Sequence, residues 1–193
     1  MAGQYYVFVP FELTHQEHSK GLVRKWRISA IDLGRRVPIP IYYQDKEDQL
    51  GDISKKIGEL NELGNSDSYT LYILGHGAGD YKKLNSINST IFIREELTPS
   101  VLALRLQSCN LPLNAKNIKL YACNLGRDIG EKLNSSFGCQ LYQELFKLGY
   151  RDVVLSAYTT PLKIELDRYG HKRTESDSKP SESRVQFYQK HDD

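Results

Sequence analysis

Two residues able to do nucleophilic chemistry close apolar, strand-like blocks in this sequence. His76 follows "LYIL" and stands between Gly75 and Gly77, and Cys123 ends "NIKLYAC", 47 residues further on. A cysteine attacks as its thiolate, yet near neutral pH a free thiol is mostly protonated. An imidazole beside it can take that proton and return it to a leaving amine, which is the chemistry of a thiol hydrolase. With no side chain at Gly77, substrate backbone could approach closely. The N–H groups of Gly77 and Cys123 could together receive an oxyanion, an effect worth roughly 10²–10³ in rate per donor. Taken singly, a histidine in a Gly-rich turn reads as structural, and free cysteine is among the most buried residue types. The joint pattern, in His-then-Cys order after two apolar blocks, is what points to catalysis. Asp80 is a candidate to orient the imidazole, or a turn residue. Other readings fail: "GHGAGD" is neither a dinucleotide nor a P-loop fingerprint, and there is no GxSxG elbow.

The elements that must position the pair can be read along the chain. "QYYVFV" (4–9) is apolar on both faces, as a buried strand requires. Thr14 and Glu17 form a capping-box pattern opening a helix whose buried stripe is Leu22, Val23 and Trp26. Residues 37–43 read as a strand that Pro38 and Pro40 push to a sheet edge. Ile53, Ile57, Leu60 and Leu63 recur at helical spacing before Gly64. A central strand is expected from Thr70 to Leu74. Thr98 and Pro99 read as N-cap and first residue of a helix in which Cys109 is a packing residue. The block 117–123 is a strand, 124–138 a long loop, and Leu141, Leu145 and Leu148 mark a helix with Cys139 packed near its start. Residues 152–158 are a further strand. Strands alternating with helices predict a mainly parallel α/β sheet covered on both faces. Ligands and chemistry then collect beyond the carboxyl ends of the strands, where His76 and Cys123 stand. From Pro161 two charged, alternating segments flank a Ser-rich gap, which predicts a mobile hairpin or flap over 161–193. The expectation is one domain, residues 1–193.

Composition narrows the function. At 193 residues, 39% apolar and 26% charged, with a net charge of +2, the chain suits one soluble domain and gives no general argument for nucleic acid. No apolar run approaches the roughly 20 residues needed to span a bilayer, and the start lacks a Sec-type signal, so no membrane role is expected. Three cysteines without a CxxC pair argue against a disulfide framework or zinc site and for reduced thiols, with no metal. The densest basic clusters are Arg24, Lys25 and Arg27, then Arg35 and Arg36, then Arg168, His171, Lys172 and Arg173. They are solvated faces or, if they converge, a polyanion site.

These blocks resemble the clan CD cysteine peptidases, the group of caspases, legumain, gingipain and clostripain, in which one apolar block precedes His-Gly and a second precedes the nucleophilic Cys. Caspases place their His about 50 residues before a Q-A-C-x-G box. Here the box is "YACNLG", without the Gln, which sets the chain apart from caspases proper. A closer resemblance is to the self-cleaving cysteine protease domain of clostridial glucosylating toxins and multifunctional RTX toxins. It rests on "LGHG" after a strand, the "LTPSVLALRL" helix, the "CN" box, and "LKIELDRYGHKRTE" at the start of a flap, and it covers roughly residues 4–175. The resemblance implies a caspase-like fold with a C-terminal β-hairpin flap and a His76/Cys123 dyad. It implies cleavage after an apolar residue such as Leu, with no cofactor for the chemistry and inositol hexakisphosphate as allosteric activator. Polyphosphate-binding candidates are Arg24, Lys25, Arg168, Lys172 and Arg173. The partner would be a peptide or protein substrate, the chain itself included, and the source a bacterial protein secreted or delivered into host cytosol, or alternatively cytoplasmic. Ser156, Ala157 and Tyr158 are the expected wall of the substrate pocket, and "SAYTT" has no Arg, which favours an apolar or small P1 residue. Two rivals are kept: a trans-acting caspase-like protease without a ligand switch, and a non-catalytic polyphosphate-responsive binding module.

Overall fold

The computed structural model describes residues 3–43, 69–77, 82–86, 95–128, 130, 134–163, 174 and 179–189. Its elements in chain order are β1 (Gln4–Val9), α1 (Glu17–Asp32), β2 (Ile39–Tyr42), β3 (Tyr69–Leu74), β4 (His76–Gly77), β5 (Leu84–Asn85), β6 (Glu96–Leu97), α2 (Pro99–Ser108), β7 (Asn117–Tyr121), α3 (Phe137–Lys147), β8 (Val154–Tyr158) and β9 (Arg184–Phe187). The helix expected at 53–63, and Asp80, lie outside the described residues.

Apolar runs form the strands expected of them. Tyr6, Val7, Phe8 and Val9 are all fully buried, on both faces of β1, as a strand inside a covered parallel sheet must be. The main sheet has the order β2-β1-β3-β7-β8-β9, with five parallel strands and β9 antiparallel to β8. β2 is the edge that its prolines require, since Pro40 pairs with Val7 on one side and has no N–H to offer another strand. β4, β5 and β6 make a small separate antiparallel sheet.

The order of strands matters for function. From β1 the chain goes outward to β2, then returns to the other side of β1 for β3, and continues to β7 and β8. This reversal puts a topological switch between β1 and β3, the place where open α/β sheets bind ligands. Helices flank the sheet accordingly. On one face Tyr5, Tyr72, Tyr121 and Tyr158 form a row of edge-to-face pairs 5.6–6.3 Å apart. Trp26 of α1 stacks on Tyr121 at 5.3 Å and meets Tyr72 edge-on at 5.1 Å. Each such pair adds about 0.5–1.5 kcal/mol beyond area burial, so α1 is fixed over the centre of the sheet. On the other face α3 buries Leu141 and Leu145, and α2 packs against it.

α2 starts where Thr98 and Pro99 place it, and α3 opens at Phe137, inside the end of the stretch read as a loop. Thr98 Oγ1 accepts from the Val101 N–H at 3.3 Å with Pro99 in the first turn, and Ser136 Oγ accepts from the Cys139 N–H at 3.2 Å. α1 departs from its expected start. Thr14 lies in a 3-10 turn rather than capping, and the helix opens at Glu17 with Gln16 as N-cap and no side-chain cap bond. The reason is tertiary: Gln16 is fully buried, and its Nε2 donates to Phe11 O at 2.5 Å and to Tyr43 O, tying the β1–α1 loop to the end of β2.

The expected flap is also redrawn. "RVQF" is β9, a strand of the main sheet, so the second half of that segment covers what would be an exposed β8 edge. Within 161–193, an antiparallel bridge between Leu162 and Thr174 marks the hairpin's base, and residues 164–173 lie outside the described set. No helix among the described residues is long and apolar enough to cross a membrane.

One glycine is conformationally idle. Gly21 sits inside α1, exposed, with nothing within 4 Å of an added Cβ. Gly21→Ala should therefore stabilise the chain by about 0.5–1 kcal/mol in urea unfolding, because helical glycine loses more chain entropy than alanine. Destabilisation would mean that α1 is not helical at this position.

Candidate active site

β3 and β7 are adjacent parallel strands in a register that pairs Leu74 with Tyr121. His76 and Cys123 each follow their paired residue by two positions, beyond the ends of β3 and β7, so both stand at the same carboxyl edge of the sheet. The strand ends thus bring the two sequence-predicted residues together. Gly75 makes room for the Leu84 and Phe11 side chains, whereas Gly77 acts on backbone packing. A Cβ at Gly77 would overlap the Cys123 carbonyl oxygen and come within 2.9 Å of the carbonyl carbon. The bare Cα of Gly77 is thus pressed against the backbone of Cys123. The sequence suggests room there for substrate, but the space is filled by the chain's own carbonyl. Immediately after Cys123 the chain turns sharply through Asn124, at φ 61°, a left-handed conformation that asparagine tolerates better than most residues.

His76 is half-buried and its ring meets a second histidine. Nε2 of His76 lies 3.0 Å from Nε2 of His18, with ring centroids 5.0 Å apart. Burial, and then the charge of His18, pull the His76 pKa down from 6.5 to about 4. The ring is therefore neutral at physiological pH. His18 is the second residue of α1, the helix that follows β1, so the two imidazoles meet at the topological switch between β1 and β3. α1 is held over this corner by Ser19 Oγ, which donates to Ser86 O at 3.4 Å. Asn85, directly opposite His76 in the β4–β5 ladder, is 2% exposed, and its Oδ1 has no hydrogen-bond donor among the described residues.

Cys123 is half-buried, whereas Cys109 and Cys139 are buried, and none of the three is in a disulfide. Burial pushes the Cys139 thiol up, which makes it a poorer nucleophile and suits its packing role. The Sγ of Cys123 accepts from the Leu162 N–H at 3.3 Å, and Tyr121 Oη donates to Lys163 O. The base of the hairpin that begins after β8 therefore lies across the sulfur. The turn after Cys123 is tied down by the Gly126 N–H to Tyr158 O at 2.9 Å and the Gly138 N–H to Leu125 O at 2.8 Å. Among the contacts of the described residues no hydrogen bond joins the His76 ring to Cys123 Sγ. The imidazole is engaged with His18, and the sulfur with the hairpin base.

Compared with known families and curated proteins, the chain matches no family model and no curated protein.

The remaining candidates fall in different places. Ser156, Ala157 and Tyr158 are 2%, 0% and 4% exposed, so their side chains belong to the core and present no open pocket wall; Thr159, Thr160 and Pro161, just beyond, are half-buried. Gln186 Nε2 closes over Ser156 Oγ at 3.4 Å, which is why the end of β8 is covered. Arg24 and Lys25 are exposed on α1, and Arg168, Lys172 and Arg173 lie outside the described residues. A cleft of about 950 Å³ is lined by Lys82 and Lys83, the start of α2, Asn134 and Ser135, with neither His76 nor Cys123 in its wall. Among the described residues no group of three or more His, Cys, Asp or Glu could hold a metal. His18 and Asn85 are the residues that reading the sequence misses. For His18 a signal existed: in a βα unit the helix start must lie at the carboxyl edge of the sheet, and a histidine stood in that first turn.

Proposed function

We propose that the chain is a cysteine endopeptidase with a caspase-like fold, in which Cys123 is the nucleophile and His76 the general base and acid. The observation that carries this reading is the β3/β7 register, which delivers an imidazole and the one half-buried thiol to adjacent strand ends, with Gly77 packed on the Cys123 carbonyl. In the reaction the thiolate adds to the scissile carbonyl carbon, and the amine leaves with the proton that His76 took from the thiol. Water, deprotonated by His76, then hydrolyses the thioester. The backbone N–H groups of Gly77 and Cys123 are the oxyanion donors of this scheme.

The resting electrostatics favour a switch. Burial and the neighbouring His18 hold the proton affinity of His76 well below that of a free imidazole, so ligand or substrate must raise it before His76 can take the thiol proton readily. Leu162 and Lys163, at the hairpin base, touch Cys123 and Tyr121, and they offer a path by which a polyanion bound on the hairpin's basic residues would reach the dyad. Inositol hexakisphosphate, bound by Arg168, Lys172 and Arg173 with Arg24 and Lys25, is that ligand, and an apolar P1 residue such as leucine is the substrate preference.

The test is labelling by a leucine acyloxymethyl ketone, a thiol-directed probe, with and without inositol hexakisphosphate. Wild type should label, faster with the polyphosphate. Cys123→Ala should not label at all, and His76→Ala should be slower by about 10²–10⁴. Labelling that persists in Cys123→Ala ends the assignment. Labelling indifferent to the polyphosphate removes the switch and leaves a constitutive protease.

A further inference from the structure

We propose that His18 is a positioning residue for the His76/Cys123 reaction, accepting the Nε2–H of His76 so that His76 Nδ1 carries the lone pair that receives the Cys123 proton. This rests on the peptidase reading and adds a third group to it, from a different element.

The two Nε2 atoms are 3.0 Å apart. At that distance the rings can bond only if one nitrogen bears hydrogen and the other a lone pair. Two arrangements satisfy this. If His18 donates, His76 must carry its hydrogen on Nδ1 and has no lone pair left to act as a base. If His76 donates, its Nδ1 is free to take a proton, and the cation then formed keeps its Nε2–H on the His18 Nε2 lone pair. Only the second arrangement serves catalysis. The position of His18 permits it, since the ring is exposed at the switch-point end of α1 and water can serve its own Nδ1.

Placement also argues for a role. α1 is anchored along its length by Trp26 between Tyr72 and Tyr121, and near its start by Ser19 on Ser86. The His18 ring therefore projects from a fixed support onto a residue that stands between Gly75 and Gly77 and opens the two-residue strand β4. A hydrogen bond from a packed helix restrains the His76 ring plane, as an orienting partner does for other functional histidines.

Two measurements on the full chain test this. The first is the pseudo-first-order rate of leucine acyloxymethyl ketone labelling across pH for wild type, His18→Ala and His18→Gln, each with its melting temperature. The second is the His76 tautomer from long-range ¹H–¹⁵N spectra of histidine-labelled protein. His76 should be the Nε2–H tautomer in wild type. His18→Ala should label about 10–100-fold more slowly with unchanged melting, the range expected when the partner orienting a functional histidine is lost. His18→Gln should recover most of the rate, because its amide oxygen can accept the same proton. A His18→Ala rate equal to or above wild type, or a His76 found as the Nδ1–H tautomer, overturns the assignment. A wild-type chain that fails to label at Cys123, under any ligand condition, refutes the peptidase reading itself and the role with it.

Discussion

Gly77→Ala should lower stability by about 3 kcal/mol or more and slow probe labelling at Cys123 by about 10²-fold, two effects from one methyl group. The added Cβ has nowhere to go: it would overlap the Cys123 carbonyl oxygen, lie 2.9 Å from its carbon, and sit 3.4 Å from Leu125 Cδ2. The obstructing atoms are backbone, so no rotamer change relieves the clash. The strand ends must separate, and overpacking of this kind costs typically 1–3 kcal/mol and occasionally more. For a chain of this size about 3 kcal/mol corresponds to a fall in melting temperature of about 6–12 °C. The functional loss follows from the same displacement, since moving the Cys123 backbone moves both the sulfur and an oxyanion donor. Displacements near 1 Å at a reacting centre can cost about 10² in rate. Gly21→Ala is the matched control, with the same substitution in open space and the opposite sign. If Gly77→Ala melted and labelled like wild type, the two strand ends could not be in contact as described.

Much of the scaffold was legible because its signals are local. Apolar runs bounded by Gly, Asn or Pro gave β1, β3, β7 and β8, and Thr98-Pro99 gave the start of α2, since neither kind of signal needs a distant partner. The dyad candidates were legible for the same reason, as each ends an apolar run. The departures all involve distant partners. Whether "RVQF" belongs to a flap or to the sheet depends on whether β8 has a free edge, and the alternating pattern is identical in both cases. Thr14 has a capping sequence, but Gln16 is drawn into the core by carbonyls of Phe11 and Tyr43, the latter 27 residues away, and that sets where α1 begins. His18 matters only because β1 and β3 are neighbours at the point where strand order reverses. Even the role of Gly77 changed on this account: absence of a side chain is visible in sequence, but what occupies the space is not.

The contact between His18 and His76 also makes acid stability a sensitive reporter of the site. Folded, His76 binds its proton only near pH 4, because of burial first and the neighbouring His18 charge second, whereas an unfolded histidine binds near 6.5. Between those values the unfolded chain holds a proton that the native chain refuses. Stability must therefore fall as pH drops through that window, and this contribution levels off below about 4. The full difference would be worth about 3 kcal/mol, reduced by the solvent that still reaches the half-buried ring. Comparison of urea unfolding at pH 7 and pH 5 isolates it from most carboxylates. Wild type should lose about 1–2 kcal/mol more than His76→Asn between these two values. His18→Ala should reduce the excess only partly, because burial is the larger cause. Equal losses in wild type and His76→Asn would mean that the His76 ring is solvated in the folded chain. Proton transfer from Cys123 would then be far less uphill, and the physical argument for a ligand switch would lapse, leaving the constitutive protease as the better reading of the same two strand ends.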